Sequence, residues 1–161
     1  MSIVPSRGRY EVPSSVLGDT WHMLAAPGRE GWEASALWIG LPANDSSTRI
    51  VAAWQPEQIA YKTLHGAAVE VTQEALTDLI LALTPGHFVA VRLHTHPSEA
   101  YHSEVDDNNM IIGHAGAISI VVPNFASDPL ELARCSVNEL LPPGGWAELT
   151  TAEVAQRFRI V

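Results

Sequence analysis

The hydrophobic and polar positions of this chain predict strands and helices that mix along its whole length. Apolar residues at helical spacing predict four helices, which begin after Pro13 (with Ser14 or Ser15 as N-cap), after the N-cap Thr72, at Ser103 and at Thr151. The first of these is expected to end at Pro27-Gly28. Runs of apolar and β-branched residues predict strands over 10–12, 35–41, 49–54, 67–71, 88–93, 117–122 and 130–141.

These elements do not follow strict β-α-β alternation, which favours an α/β or α+β layered sheet. The turn-rich segment 42–47 is expected to be a longer loop that joins two strands as a hairpin. No internal repeat or composition break divides the 161 residues, so we expect a single domain over 1–161.

Charge excludes some classes of partner. The 9 basic residues against 18 acidic ones give a net charge of −9, which is the wrong sign for a nucleic-acid binder or for a protein that adheres to anionic membranes. No apolar run is long enough to span a bilayer, and we expect a soluble, cytoplasmic protein. The single cysteine, Cys135, has no partner for an internal disulfide and no motif of a nucleophile, so packing is its expected role.

The chemistry is concentrated in the segment that begins His94-Thr95-His96-Pro97. Two histidines two residues apart at the end of a strand point to the same side, because side chains alternate along a strand. Two imidazoles on one face suit Zn²⁺. Pro97 cannot continue a strand ladder, which predicts that the pair lies at a sheet edge rather than in its middle.

A third ligand is expected nine residues after Pro97, at Asp106, in the first turn of a helix that Ser103 would cap. Two histidines and one carboxylate leave the fourth tetrahedral position of zinc open to water, which is the arrangement of catalytic rather than structural sites. Such a site also needs a general base to take up the proton of the water.

HxHP followed by SxxD resembles the JAMM (JAB1/MPN/Mov34) metalloprotease family, whose signature adds an upstream glutamate. Glu33, at the entry of the segment Ser35-Ala-Leu-Trp-Ile-Gly40, fits the place of that glutamate. The resemblance covers about residues 33–122 by motif. It implies a cytidine-deaminase-like layered sandwich, a central mixed β-sheet flanked by helices (the JAB/MPN domain), with one Zn²⁺ per chain.

The resemblance also assigns roles. His94, His96 and Asp106 would hold the zinc, Glu33 would be the general base, and the Ser103 hydroxyl would donate a hydrogen bond to the oxyanion. The segment between His96 and Ser103 is one residue shorter than is usual in the family. The usual spacing would put Glu104 in the place of the serine and make Asp107 the ligand. We prefer Ser103 and Asp106, because a glutamate would repel the developing negative charge.

Simpler interpretations exist for each residue. The histidines could be polar side chains that are satisfied at a strand end, Glu33 could be a solvated carboxylate with Glu30 as its competitor, and Ser103 could be a helix cap alone.

The resemblance implies that the substrate is a ubiquitin-like protein or its conjugates, cleaved after the ubiquitin-like C-terminus during deconjugation or precursor maturation. The chain looks most like the stand-alone bacterial JAB proteins whose genes lie beside those of E1-like, E2-like and ubiquitin-like proteins, in operons associated with phage defence. This resemblance implies cognate E1-like and E2-like proteins as candidate partners. Two alternatives are a JAMM peptidase that releases a sulfur-carrier protein from a biosynthetic adduct, and a non-catalytic MPN scaffold. The intact motif disfavours the scaffold.

Overall fold

A computed structural model of the chain describes residues 8–64, 66–101 and 116–161. Its helices are α1 (Ser14–Gly28), α2 (Gln73–Ala82) and α3 (Thr151–Arg157). Its strands are β1 (Arg9–Val12), β2 (Ser35–Asn44), β3 (Ser47–Trp54), β4 (Gln58–Thr63), β5 (Gly66–Val71), β6 (Phe88–Thr95), β7 (Ile118–Val122), β8 (Ser136–Leu140), β9 (Trp146–Glu148) and β10 (Phe158–Ile160). The helix expected from Ser103 lies outside the described residues.

Eight of these strands form one mixed sheet in the order β10-β1-β3-β2-β6-β7-β8-β9, and β4 and β5 form a separate hairpin. Strand β6 is antiparallel to β2 on one side and parallel to β7 on the other. Residues 88–93 show no regular alternation of apolar and polar side chains. The reason is that β6 has a neighbouring strand on each side and apolar packing on both faces, so neither face is exposed to solvent.

Helices cover both faces of this sheet. Trp38 and Leu93 belong to the larger core cluster, against which Leu24 of α1 packs. Leu37 and Ile39 point to the opposite face, where Leu79 of α2 packs against them. Alternation along β2 therefore separates two apolar layers, and the expectation of a mixed central sheet flanked by helices is confirmed.

The helices begin close to where the sequence predicts, although one cap differs. Thr72 caps α2, since its hydroxyl accepts from the Ala75 amide at 3.1 Å. The N-cap of α1 is Pro13 without a side-chain cap, so neither Ser14 nor Ser15 has the expected role. Both serines are already helical, and proline's fixed φ suits the residue that enters a helix.

The expected loop over 42–47 is wrong, because β2 continues through Pro42 to Asn44 and the turn is tight. Pro42 pairs with Thr48 of β3, whereas the ladder with β6 has already ended at the pair Gly40 and Phe88. Proline has no backbone N–H to donate. It is tolerated at position 42 because β6 no longer pairs with β2 there and needs no hydrogen-bond donor from it.

The single strand expected over 130–141 is also wrong. Residues Leu132–Arg134 form a 3₁₀ turn, and only Ser136–Leu140 form a strand. An i,i+3 ion pair, Arg134 Nε to Glu131 Oε2 at 3.2 Å, spans the turn. Strands β4, β9 and β10 were not expected.

In the described part of the chain, no helix is both long enough and apolar enough to cross a membrane.

Candidate metal centre and active site

The two histidines of the HTHP motif lie at the carboxyl end of β6 and are both buried. His94 is the penultimate residue of the strand and pairs with Ser35 of β2 and with Val121 of β7. The prediction of a sheet edge is wrong in this respect, because β6 is an internal strand. Pro97 ends that strand instead of placing it at the side of the sheet. Crevices at the carboxyl ends of strands are where open α/β sheets bind ligands.

The geometry of the pair fits a shared metal ion. The Nε2 atoms of His94 and His96 face each other at 3.2 Å. Two nitrogens at Zn–N distances of 2.0–2.1 Å and a tetrahedral angle lie about 3.3–3.4 Å apart. The same separation also allows one ring to donate a hydrogen bond to the other. In the first arrangement both nitrogen lone pairs point at the ion, and in the second one ring points its N–H at the other ring. The separation of 3.2 Å is compatible with both.

A strained turn after β7 holds the backbone of the second histidine. The His96 amide donates to the Val122 carbonyl at 2.9 Å, and the His96 carbonyl accepts from the Phe125 amide at 2.8 Å. Residues Asn124, Phe125 and Ala126 have φ values of 55°, 52° and 55°, in the left-handed region that non-glycine residues rarely adopt. Strained backbone of this kind persists where the surrounding structure determines it, often beside functional sites.

Glu33 lies two residues before β2, in the loop that follows α1, and only 6% of it is exposed. The β2–β6 register continues past the pair Ser35 and His94, because the Thr95 amide donates to the Ala34 carbonyl at 3.0 Å. Glu33 directly precedes Ala34, the residue that this bond holds. The competing Glu30 is exposed in the turn after α1.

A cleft of about 580 Å³ opens beside Glu33. One wall is the loop after α1, with Trp32, and the other is the segment from Gln55 to Ala60 that leads into the β4–β5 hairpin. Lys62 of the hairpin ties the two walls together, because its Nζ donates to the Glu30 carbonyl at 3.0 Å and lies 4.1 Å from the centre of the Trp32 ring. Glu33 is therefore one of the residues that line this cleft.

Sequence reasoning missed two side chains near the histidines. The Tyr101 ring lies edge-on to the His96 ring, with the ring centroids 4.7 Å apart. An aromatic residue between the HTHP motif and Ser103 was the feature of the sequence that could have indicated this contact. Arg92 precedes His94 by two residues on the same face of β6 and is buried. Its Nε donates to Ser119 Oγ at 3.0 Å, and its guanidinium carbon lies 5.3 Å from the centre of the Trp146 ring.

The other predicted site residues, Ser103 and Asp106, lie outside the described residues, as do their alternatives Glu104 and Asp107. Within residues 8–64, 66–101 and 116–161, no group of three or more His, Cys, Asp or Glu side chains could hold a metal ion. The described structure thus brings together the two histidines and places Glu33 in the loop just before the neighbouring strand β2, and the third ligand stays a prediction.

Comparison with known proteins places the chain in a family. No protein-family model matches it. It is, however, 33% identical over 161 residues to "Probable metalloprotease y4jG" of Sinorhizobium fredii, and the match covers 99% of both chains. The chain belongs to the family of that metalloprotease.

A solved structure supports the fold alone. The chain resembles protein DSY2949 from Desulfitobacterium hafniense, with a TM-score of 0.62 and 11% identity over 94% of this chain and 92% of the other. The mixed sheet with its helices is therefore an architecture that a very different sequence also adopts.

Proposed function

We propose that the protein is a zinc-dependent peptidase or isopeptidase of the JAMM type, which cleaves after the C-terminus of a ubiquitin-like protein. The observation that carries this proposal is the approach of His94 Nε2 and His96 Nε2 to 3.2 Å, with the buried Glu33 just before the adjacent strand β2. The relative's designation as a metalloprotease supports both the peptidase activity and the need for a metal. It also disfavours a non-catalytic scaffold.

Each candidate site residue has a separate role in the proposed reaction. His94 and His96 hold the ion, and Asp106 is proposed as the third ligand. When bound, zinc acts as a Lewis acid that polarises the scissile carbonyl and makes water more acidic. The Glu33 carboxylate accepts the proton from the attacking water and then delivers it to the leaving amine. The Ser103 hydroxyl donates a hydrogen bond to the oxygen that becomes negative.

The surroundings of Glu33 suit an extended peptide. The β4–β5 hairpin flanks the cleft, and within the described residues each of its strands pairs only with the other. An extended C-terminal tail could add to such a strand edge through main-chain hydrogen bonds, and Trp32 offers apolar surface at the cleft wall. This supports a flexible tail, rather than a folded domain, as the part of the substrate that enters. Cognate E1-like and E2-like proteins, a role in phage defence and a cytoplasmic location are further parts of the proposal.

The role of Glu33 is tested by Glu33→Gln, with Glu30→Gln as the matched control in the same loop. General acid–base catalysis typically contributes a factor of about 10²–10⁴ to the rate. Glu33→Gln should therefore lower kcat by about 10²–10⁴-fold and leave the amount of bound zinc unchanged. Glu30→Gln should keep wild-type kcat, because Glu30 is exposed and contributes only its carbonyl to Lys62. Wild-type turnover by Glu33→Gln would remove Glu33 as the base.

The substrate class is tested by incubating zinc-loaded protein with fusions of candidate ubiquitin-like domains, with and without a chelator, and locating cleavage by mass spectrometry. The proposal predicts cleavage directly after the ubiquitin-like C-terminus and none with the chelator present. If an unrelated peptide is hydrolysed while every fusion stays intact, the protein is a peptidase of another specificity. Release of a sulfur-carrier protein from an adduct, with conjugates left uncut, would favour the biosynthetic alternative.

A further inference from the structure

The end of β2 that leads to Glu33 extends beyond its neighbour β3. The last residue of β3, Trp54, pairs with Leu37, so the main-chain groups of Ser35 point past the end of that strand. A buried N–H and C=O without partners would be costly, and only 4% of Ser35 is exposed.

The side chain of Gln58 takes the place of the missing strand residue. Its Oε1 accepts from the Ser35 amide at 2.7 Å, and its Nε2 donates to the Ser35 carbonyl at 3.0 Å. This is the pair of bonds that a residue of β3 would make in an antiparallel ladder. A third bond, from Nε2 to the Pro56 carbonyl at 2.8 Å, fixes which end of the amide is the donor.

The opposite side of the same segment is held by β6. The Ala34 amide donates to Thr95 Oγ1 at 3.0 Å, and the Ala34 carbonyl accepts from the Thr95 amide at the same distance. Residues Ala34 and Ser35 are therefore fixed from both sides, by Thr95 and by Gln58. Glu33 directly precedes Ala34 in the chain, so its backbone position depends on both.

We infer that Gln58 is a positioning residue for Glu33. It does not contact the reacting atoms itself; it fixes the strand end from which the carboxylate projects, and it joins that strand end to the β4–β5 hairpin across the cleft. The inference rests on the proposed function for its catalytic consequence, whereas the structural role of Gln58 stands independently of it.

The test replaces Gln58 with Met, which keeps the length of the side chain and removes its hydrogen bonds, and with Glu, which can accept from the Ser35 amide but cannot donate to its carbonyl. Gln55→Met is the matched control. Gln55 lines the same cleft, but its Nε2 donates to the Met23 carbonyl at 3.0 Å. The control therefore loses a hydrogen bond of similar kind that does not involve β2.

Two measurements decide the outcome. In amide hydrogen exchange, Gln58→Met should speed exchange of the Ser35 amide about fivefold or more, and Gln55→Met should leave it unchanged. In steady-state kinetics, Gln58→Met should lower kcat about ten- to a hundredfold with little change in KM or in bound zinc, because small misplacements of a catalytic group cost rate. Gln58→Glu should recover part of the protection of Ser35.

A double variant separates positioning from general destabilisation. In a Glu33→Gln background, adding Gln58→Met should lower the residual rate no further, since the residue acts through Glu33. An unchanged Ser35 exchange rate would overturn the inference whether or not the protein is active. Faster exchange with wild-type kcat, or a further loss of rate in the double variant, would overturn the positioning role. If the wild-type protein cleaves no substrate at all, the proposed function fails, and the Ser35 exchange rate alone then decides the structural claim.

Discussion

Replacing Gly28 with alanine is expected to destabilise the protein, although alanine is the better helix former. Gly28 is the last residue of α1 and packs against the strained turn after β7. A Cβ at this position would lie 3.0 Å from both the carbonyl carbon and the Cβ of Phe125, and closer still to the carbonyl oxygen. Carbon atoms ordinarily approach to about 3.5–4.0 Å, so the turn must move.

The turn has little freedom to yield. Phe125 is in the left-handed region, and its amide is bonded to the His96 carbonyl at 2.8 Å. Alanine gains at most about 1 kcal/mol over glycine in a helix, and less at a helix end. Overpacking costs typically about 1–3 kcal/mol, and more where backbone has to shift. The penalty therefore exceeds the gain, and the net loss should be about 1–3 kcal/mol. For a protein of this size that lowers Tm by roughly 2–10 °C.

The matched control is Gly18→Ala in the same helix. A Cβ at Gly18 would meet nothing within 4 Å, so this variant should be stabilised by about 0.5–1 kcal/mol. Thermal unfolding of both variants, followed by circular dichroism, should move Tm in opposite directions. Zinc affinity should fall in Gly28→Ala alone, because the displaced turn carries the backbone partner of His96. Equal stabilisation of the two variants would refute the packing argument.

Two further predictions concern groups away from the site. Burial, and then the Glu131 charge, raise the pKa of the Cys135 thiol to about 12. Its labelling by iodoacetamide should therefore be slow at pH 8 and should accelerate as the pH rises toward 12. Cys135→Ser should keep full activity. Loss of activity in this variant would instead indicate that Cys135 takes part in catalysis. Arg157 forms a buried ion pair with Glu139 at 2.8 Å. Arg157→Leu leaves the Glu139 carboxylate buried without its ion-pair partner. The free energy of unfolding measured in urea should fall by about 3–5 kcal/mol, with zinc binding retained. A decrease of less than about 1 kcal/mol would contradict the pairing argument.

Elements with a strong local pattern could be predicted from the sequence. The periodicity after Thr72 and the apolar runs that became β6 and β7 locate their elements within a few residues. Strands β4 and β10 could not be found in this way. Strand β4 pairs locally with β5, whereas β10 has three residues and adds beside β1 from the other end of the chain. A strand such as β10 is determined by tertiary contacts rather than by local propensity.

The same division holds for the candidate site. His94 and His96 could be identified because both ligand spacing and strand alternation are local properties. Gln58 could not, because its role depends on where β3 ends relative to β2, which no sequence pattern reveals. The left-handed turn at Asn124–Ala126 was equally hidden, since none of its residues is glycine.

The central claim is that His94 and His96 together hold one metal ion. Calorimetric titration of metal-free protein with zinc tests it most directly, comparing the wild type with the double variant His94→Ala/His96→Ala and with the exposed His22→Ala as control. We expect one tightly bound zinc per chain in the wild type and in His22→Ala, and none in the double variant. Wild-type zinc binding by the double variant, or none by the wild type, would contradict it.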